Sequence, residues 1–423
     1  MERKIAASAA FWVPQLTMKR LFALLLLCSA AFAQELPKPE RFEKAIAAFE
    51  EADKAKKPAK NATLFVGASN IRLWKSLPDR FKKDKVINRG FGGALMSEVV
   101  HFADRIVLPY APKQIYLNAG GNDLHLGRKP EDVLDSFKAF AALVREKLPK
   151  TKLAFLCIPT SPSRWDEVET VRTTNKLIAD FIHADGDKID FIDYFPMLLG
   201  ADGQPRAELY VEDRLHFSEA GYDVVTSVIK WQKEIAAIEG RYAEKPAPAA
   251  PIVFVGSSSI RMWKSLAEDF PGKPVLNHGF GGSEVFDSMN YAHRLVLPFK
   301  PKQIVMYAGG NDLNAGKTPE RVFGDFQAFV AKVKATLPKT KICYISSAPN
   351  PKRWSQIVET RQLNTLVKDF CAKDETLSFI DVHPVMLGAD GQPKPDIFLD
   401  DKLHMNPKGY ALWKEVVAPL LVD

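Results

Sequence analysis

The stretch that decides the fold occurs twice in the 423-residue chain, as FVGASNIRLW at Phe65–Trp74 and as FVGSSSIRMW at Phe254–Trp263. Each copy begins with a short apolar run, reaches a glycine and places a serine two residues later. This order is typical of a buried strand, a tight turn and the start of a helix. Ligands of open parallel α/β sheets bind at the carboxyl ends of the strands. The two copies therefore predict that Ser69 and Ser258 face a ligand site.

The repeat extends over most of the chain, at an offset of 189 residues that becomes 188 after one net deletion. Three further motifs recur in the same order: GFGG at Gly90–Gly93 and Gly279–Gly282, AGGNDL at Ala119–Leu124 and Ala308–Leu313, and Asp-x-x-His at Asp213–His216 and Asp401–His404. A repeat of this length indicates two domains rather than a solenoid of short units.

Each unit alternates short apolar strands with apolar-periodic helices, which indicates an α/β fold with a parallel sheet covered on both faces. We expect a first domain at residues 38–241, a Pro/Ala-rich linker at 242–250 and a second domain at 251–423. The opening helix of the second unit should run on from the last helix of the first. The two domains then either pack as an intrachain pseudo-dimer around this helix or move independently.

Residues 1–33 are interpreted as an upstream extension followed by a secretory signal peptide. Met18, as the expected start, precedes Lys19-Arg20, an apolar run, and the small residues Ala31 and Ala33, after which cleavage is predicted. This apolar run is too short to span a bilayer permanently. We therefore expect a periplasmic or secreted protein with no stable membrane span.

The formal net charge of +7 does not indicate a nucleic-acid partner, because Lys and Arg are interleaved with Asp and Glu along the chain. No Cys or His cluster has the spacing of metal ligands, so the sequence predicts neither a metal nor a cofactor. No nucleic-acid, metal or cofactor partner is therefore expected.

A nucleophilic serine needs a general base, and the repeat singles out one histidine in each unit. Of eight histidines, only His216 and His404 fall opposite each other. Each follows an aspartate by three residues, so that Asp213 and Asp401 can lie beside the imidazole and orient it. Taken alone, an aspartate that caps a helix near an incidental histidine is the commoner explanation. The match between the two units favours the catalytic one.

Two further matched pairs are candidates to stabilise an oxyanion. Gly93 and Gly282 end glycine-rich turns, where backbone N–H groups can approach a substrate. Asn122 and Asn311 follow Gly-Gly at the end of a strand, where a side-chain amide can point into the same cleft. Turn formation by the glycines and an Asx turn or helix cap by the asparagines are the structural alternatives.

These motifs, in this order, resemble those of the SGNH/GDSL hydrolases, and most closely the branch similar to platelet-activating-factor acetylhydrolase catalytic subunits and bacterial acyl esterases. The resemblance covers nearly all of the mature chain, and it implies two tandem flavodoxin-like α/β/α sandwich domains with metal-free ester hydrolysis. It implies the nucleophiles Ser69 and Ser258, the general bases His216 and His404, the orienting residues Asp213 and Asp401, and oxyanion holes of the serine N–H with Gly93 and Asn122 or with Gly282 and Asn311. The Gly-Asp-Ser-Leu tetrapeptide itself is absent, since Ala68 and Ser257 stand at its aspartate position.

The resemblance therefore implies an exported serine ester hydrolase that cleaves short acyl groups, with acetyl favoured, from carbohydrate or small lipid-like esters. The expected partner is a small-molecule or glycan acyl ester substrate. The alternative is a non-catalytic glycan-binding or scaffold protein with one or both sites inactive. The loops differ between the units, so the two sites are expected to prefer different esters. The matched tryptophans Trp74 and Trp263 and the matched pairs Arg164-Trp165 and Arg353-Trp354 are expected to pack rather than to line the cleft.

Overall fold

The computed structural model describes residues 37–186, 188–200 and 202–423, so the predicted signal peptide and its cleavage site after Ala33 lie outside the described residues. Within those ranges, ten strands form two five-stranded sheets. The first contains β1 Thr63–Gly67, β2 Val86–Gly90, β3 Gln114–Asn118, β4 Lys152–Leu156 and β5 Ile189–Ile192, and the second contains β6 Ile252–Gly256, β7 Val275–Gly279, β8 Gln303–Tyr307, β9 Lys341–Ile345 and β10 Leu377–Ile380.

All strand pairs in both sheets are parallel, and the strand orders are β2-β1-β3-β4-β5 and β7-β6-β8-β9-β10. In each sheet the first strand of the unit therefore lies between the second and the third. Successive connections leave this strand on opposite sides, which opens a crevice at its carboxyl end. The prediction of two tandem α/β domains with parallel sheets is confirmed.

Helices cover both faces of each sheet. The first unit contains α1 Glu43–Ala55, α2 Ser69–Arg72, α3 Leu77–Arg80, α4 Met96–His101, α5 Ala103–Ile106, α6 Gly121–His125, α7 Pro130–Lys147, α8 Val168–Ala184 and α9 Glu219–Glu244. The second contains α10 Ser258–Arg261, α11 Leu266–Asp269, α12 Val285–Asn290, α13 Ala292–Leu295, α14 Gly310–Asn314, α15 Pro319–Thr336, α16 Ile357–Cys371 and α17 Pro407–Val417.

Short 3-10 segments join these elements, at Pro39–Phe42, Leu108–Tyr110, Pro162–Glu167, Phe195–Leu198, Ala207–Leu209, Leu297–Phe299, Pro351–Gln356, Pro384–Met386, Pro395–Ile397 and Ala418–Leu420. Among the described residues, no helix is both long enough and apolar enough to cross a membrane.

The central strands are apolar on both sides because helices cover both faces of each sheet. Leu64, Phe65 and Val66 in β1 are fully buried, and so are Val253 and Val255 in β6. The apolar runs that open the two repeated stretches therefore lie at the centres of the two sheets, and Val253 and Val255 belong to the same buried cluster as the three residues of β1.

The 26-residue helix α9 belongs to both units, as the continuity of the repeat predicts. Val224 and Val228 of its first half are buried, and Ile235 and Ile238 are buried in its second half. The Gln232 side chain accepts a hydrogen bond from the Asp193 N–H and donates one to the Phe191 carbonyl of the first unit. The helix continues through residues 242–244, so that the segment between the domains is partly helical.

Candidate active site

A sharp turn places each candidate nucleophile at the carboxyl end of its central strand. Gly67 has a φ of 142°, and a Cβ added to it would lie 1.9 Å from the Asn118 carbonyl oxygen. The N–H of Ala68 donates to the same oxygen at 2.9 Å. Only glycine allows the backbone of β1 to come this close to Asn118. The helix α2 begins two residues after Gly67, at Ser69. Gly256 repeats the geometry before Ser258, with a φ of 134°.

A tyrosine from the last helix of each unit fixes the nucleophile turn from the other side. The Tyr222 hydroxyl donates to the Asn70 carbonyl at 2.9 Å, and the Tyr410 hydroxyl donates to the Ser259 carbonyl at 2.9 Å. The Trp74 ring stacks on Tyr222 with centroids 4.9 Å apart. Trp74 and Trp263 are buried, in agreement with the packing role expected for them.

The structure brings Ser69, His216 and Asp213 together in the first unit. His216 Nε2 lies 2.9 Å from Ser69 Oγ, and His216 Nδ1 lies 2.6 Å from Asp213 Oδ2. The other carboxylate oxygen of Asp213 accepts the backbone N–H groups of Leu215 and His216, both at 2.9 Å. The aspartate therefore holds both the ring and the turn that carries it.

The second unit contains the same arrangement. His404 Nε2 lies 2.9 Å from Ser258 Oγ, and His404 Nδ1 lies 2.5 Å from Asp401 Oδ2. An ionised aspartate accepts the Nδ1 proton, which leaves Nε2 unprotonated and able to accept the serine proton. In both units the geometry is that of a serine, a base and an orienting carboxylate.

Both aspartates are held in the ionised form. The hydrogen bond from the His216 ring and those from the backbone lower the pKa of Asp213 to about 2. For Asp401, partial desolvation acts in the opposite direction, but the hydrogen bonds from the His404 ring and backbone still lower the pKa to about 2. Each carboxylate can therefore stabilise a positively charged imidazole throughout the neutral range.

The candidate oxyanion donors face the same crevice. Gly93 and Asn122 line the cavity that also contains Ser69 and His216. Gly93 has a φ of 83°, a conformation that favours glycine, and the Asn122 amide donates one N–H to the Ala94 carbonyl at 3.1 Å. The second unit repeats the asparagine contact, since Asn311 donates to the Ser283 carbonyl at 3.0 Å.

An arginine fixes the orientation of each of these amides. Arg164 donates to the Asn122 side-chain oxygen at 3.3 Å, and Arg353 donates to that of Asn311 at 3.0 Å. Because the amide oxygen accepts the arginine's hydrogen bond, the Nδ2 group is held in its contact with the Ala94 or Ser283 carbonyl. The expectation that these arginines only pack is therefore wrong. Both line the crevices and orient a candidate donor.

In each unit a buried aspartate, Asp123 or Asp312, accepts a backbone N–H just after the glycine-rich turn that ends at Gly93 or Gly282. We call this turn the oxyanion loop. Asp123 accepts the Met96 N–H at 2.9 Å and pairs with Arg128 at 3.0 Å, while burial raises its pKa to about 6. Asp312 accepts the Val285 N–H at 3.1 Å, and burial raises its pKa as well. Neither residue lines its crevice, so a structural role is the one that their positions support.

The first unit has an additional support that the second lacks. Arg41, in the 3-10 segment before α1, donates to the Gly93 carbonyl at 3.1 Å and pairs with the buried Glu98 at 2.8 Å. Lys230 stands at the corresponding position of the second unit and lies 5.7 Å from the ring centroid of Phe81 in the first unit. The oxyanion loops of the two sites are therefore held by different contacts.

The two crevices differ most in size. The first opens into a cavity of about 690 Å³, whereas the space around Ser258 measures about 30 Å³. The difference arises where the opening helix of each unit borders the site, at Phe42 directly before α1 and Ala45 within it, and at Trp231 and Glu234 in α9. The offset of 189 residues aligns Phe42 with Trp231 and Ala45 with Glu234, but the sequence did not indicate that these positions border the sites.

Among the residues that the structure describes, no group of three or more His, Cys, Asp or Glu side chains could hold a metal ion.

A protein-family model described as the GDSL-like Lipase/Acylhydrolase family matches the chain twice, at residues 63–224 and 251–412. No curated protein matches the sequence.

Several solved structures are similar to one half of the chain. A putative platelet activating factor from Streptococcus pneumonia is 21% identical, with 50% of this chain and 97% of that chain covered and a TM-score of 0.38. A GDSL-like lipase from Bacteroides thetaiotaomicron is 22% identical, with 45% and 98% covered and a TM-score of 0.39. A carbohydrate esterase family 3 structure from Talaromyces cellulolyticus is 17% identical, with 41% and 96% covered and a TM-score of 0.33.

Proposed function

Because the chain belongs to the GDSL-like lipase/acylhydrolase family, we propose that it is a serine ester hydrolase with one active site in each domain. The observation that carries this proposal is the pair of hydrogen bonds from a histidine to a serine and to an aspartate, which occurs in both units. A scaffold protein has no need for this geometry twice. The proposed substrates are short acyl esters, with acetyl favoured, of carbohydrates or small lipid-like molecules.

In the proposed mechanism, Ser69 Oγ attacks the ester carbonyl carbon while His216 Nε2 takes the serine proton. The electron pair of the carbonyl moves to its oxygen, which becomes the oxyanion of the tetrahedral intermediate. The Ser69 N–H lies at the first position of α2, where no intrahelical acceptor exists, and it can donate to this oxyanion together with the Gly93 N–H and the Asn122 amide.

The intermediate then collapses, the ester C–O bond breaks and the leaving alcohol takes the proton from His216. Water attacks the acyl-serine with the same histidine as base, and the carboxylic acid is released as Ser69 regains its proton. Ser258, His404, Gly282 and Asn311 would act in the same way in the second domain, with Asp401 in the place of Asp213.

Hydrolysis of para-nitrophenyl acetate tests this proposal with four proteins: the wild type, Ser69→Ala, Ser258→Ala and the double variant. We expect each single variant to retain the activity of its intact site and the double variant to lose enzymatic hydrolysis. Equal rates for the wild type and the double variant would contradict the hydrolase function and favour the non-catalytic alternative.

We further propose that the protein is exported to the periplasm or secreted, on the basis of the basic, apolar and small-residue pattern between Met18 and Ala33. The amino terminus of the protein purified from its native host tests this. Sequencing should begin at Gln34, and an amino terminus upstream of the apolar run would contradict export by cleavage.

A further inference from the structure

We propose that the two sites divide their substrates by acyl size: the first binds an extended apolar acyl group beside Ser69, whereas the second accepts only the smallest groups, such as acetyl. This inference rests on the proposed hydrolase function, keeps the short acyl substrates for the second site and extends the acyl range of the first site beyond them. It begins from the difference between the two cavities, about 690 Å³ and about 30 Å³.

The first cavity is apolar and continuous with the reacting groups. Its apolar wall is formed by Phe42, Ala45, Ala48, Phe49, Phe91, Ile158 and Val171, and the same cavity reaches Ser69, Gly93 and His216. Its volume lies in the range of about 300 to 1,000 Å³ that is typical of pockets for drug-sized ligands. An acyl group whose carbonyl carbon lies at Ser69 Oγ can therefore extend its tail along α1 and remove it from water.

The second cavity is small because larger side chains of α9 occupy the corresponding space. Glu234, which stands where the first unit has Ala45, accepts the Gly281 N–H at 3.0 Å. Trp231 stands where the first unit has Phe42, and its ring edge lies 3.5 Å from the position that a Cβ on Gly282 would take. The remaining space of about 30 Å³ is enough for only about two water molecules, since a cavity needs about 10 to 15 Å³ of such space to hold one.

These two side chains cannot move away easily, because α9 is fixed on its opposite side. Between Trp231 and Glu234, the Gln232 side chain makes its two hydrogen bonds with Phe191 and Asp193 of the first unit. These bonds hold α9 against the first unit, and Ile235, the residue after Glu234, is fully buried. The restriction of the second site is therefore built into the helix that the two domains share.

A larger side chain also occupies space at the end of β8 in the second crevice. Tyr307 lines it where the first unit has Asn118, and the Tyr307 ring packs against Trp413 with centroids 4.8 Å apart. Apolar side chains such as those of Met386, Phe398 and Trp413 also line the space around Ser258, but its volume of about 30 Å³ is too small to hold an acyl tail.

The test compares kcat/KM for para-nitrophenyl acetate and octanoate in the two single-site enzymes, Ser258→Ala for the first site and Ser69→Ala for the second. We expect the octanoate-to-acetate ratio to be at least about tenfold higher for the first site, since one methylene in a fitted apolar pocket is worth roughly ten- to two-hundredfold. Equal ratios in two active single-site enzymes would overturn the division of substrates while leaving the hydrolase function intact.

Substitutions at Ala45 of α1 and at Trp231 and Glu234 of α9 test whether these side chains cause the difference in acyl preference. In the Ser258→Ala background, Ala45→Glu should lower the octanoate-to-acetate ratio by at least about tenfold. The matched control is Ala52→Glu, the same substitution at an exposed position of α1, which should leave the ratio unchanged. In the Ser69→Ala background, Trp231→Phe with Glu234→Ala should raise the ratio. If Ala45→Glu and Ala52→Glu change the ratio equally, the assigned cavity is wrong. Loss of all hydrolysis in both single-site enzymes would instead refute the hydrolase function itself.

Discussion

The carboxylate of Glu234 accepts a hydrogen bond from the Gly281 N–H at 3.0 Å, one residue before the glycine whose N–H we assign to the second oxyanion hole. A fixed negative charge therefore lies beside the position where negative charge develops during the proposed reaction. Ala45 stands at this position in the first unit, so that the first site carries no such charge there.

We expect Glu234→Gln to accelerate acetate hydrolysis at the second site, measured as kcat in the Ser69→Ala background. Glutamine keeps the size and the acceptor oxygen but removes the charge, and a like-charge repulsion of about 1 kcal/mol corresponds to roughly fivefold in rate. Glu244→Gln is the matched control, because it removes the same charge from an exposed position at the end of α9. Indistinguishable rates for the two variants would show that the Glu234 charge does not act on the reaction.

The Asp213 carboxylate should matter far more than its exposure suggests. Its side chain is 49% exposed, yet it is the group that fixes the His216 ring at 2.6 Å and stays ionised with a pKa of about 2. In the Ser258→Ala background we expect Asp213→Asn to lower kcat by roughly 10³- to 10⁴-fold, through loss of the productive imidazole orientation.

Glu212→Gln, at the exposed neighbouring position, controls for the change of charge and should keep nearly full activity. A small loss of kcat for Asp213→Asn, similar to that of Glu212→Gln, would mean that His216 does not depend on this carboxylate.

Arg164 and Asn122 should act as one unit in the first site. Because Arg164 fixes the Asn122 side-chain oxygen, its removal frees the amide to rotate away from the oxyanion. In the Ser258→Ala background we expect Arg164→Ala to lower kcat by roughly 10- to 100-fold with a smaller change in KM.

A double-mutant cycle separates this positioning role from a merely structural one. Adding Arg164→Ala to Asn122→Ala should cost little further activity, since the group to be oriented is already gone. Fully additive losses would contradict the assignment of Arg164 as the residue that orients Asn122.

His278 should make the stability of the second domain depend on pH. Its fully buried ring lies 2.7 Å from both the Tyr242 hydroxyl of α9 and the Leu295 carbonyl. Burial lowers the pKa of His278 to about 4, although the hydrogen bond to Leu295 acts in the opposite direction. A lowered histidine pKa means that its contribution to stability is complete above about pH 6.5 and is lost as the pH falls through about 4.

We expect the free energy of local opening around residues 275–279 and 285–295 to fall by up to about 3 kcal/mol between pH 7 and pH 4, beyond the change seen in His278→Gln. Hydrogen–deuterium exchange of peptides from these segments measures it. His101→Gln, at an exposed position of the first unit, should follow the wild type. A difference between wild type and His278→Gln that is constant with pH would rule out His278 as the titrating group.

Much of the fold and the candidate site could be predicted because the repeat supplies an internal comparison. Ser257, Ser258 and Ser259 cannot be told apart alone, but only Ser258 falls opposite Ser69. The same comparison separated His216 and His404 from the other histidines. Local patterns also decide the strands and the tight turn at Gly67, because burial on both faces and a positive φ each limit the residue types that fit.

The features that could not be predicted depend on contacts between distant segments. The role of Arg164 follows from a hydrogen bond to a residue 42 positions away, and arginines near tryptophans more often pack against them. The Ala45 and Glu234 difference was visible in the alignment of the two units. The effect of this difference on the size of the site could not be predicted, because no local sequence pattern shows that the opening helix borders the crevice.

Intact-protein mass after reaction with a small alkyl fluorophosphonate tests the central claim most directly, since this reagent reacts with a serine only when a base activates it. Two active sites predict two labels per wild-type chain, one in each of Ser69→Ala and Ser258→Ala, and none in the double variant. Peptide mapping should place the labels on Ser69 and Ser258. An unlabelled wild type, or a label that persists in the double variant, would contradict the account.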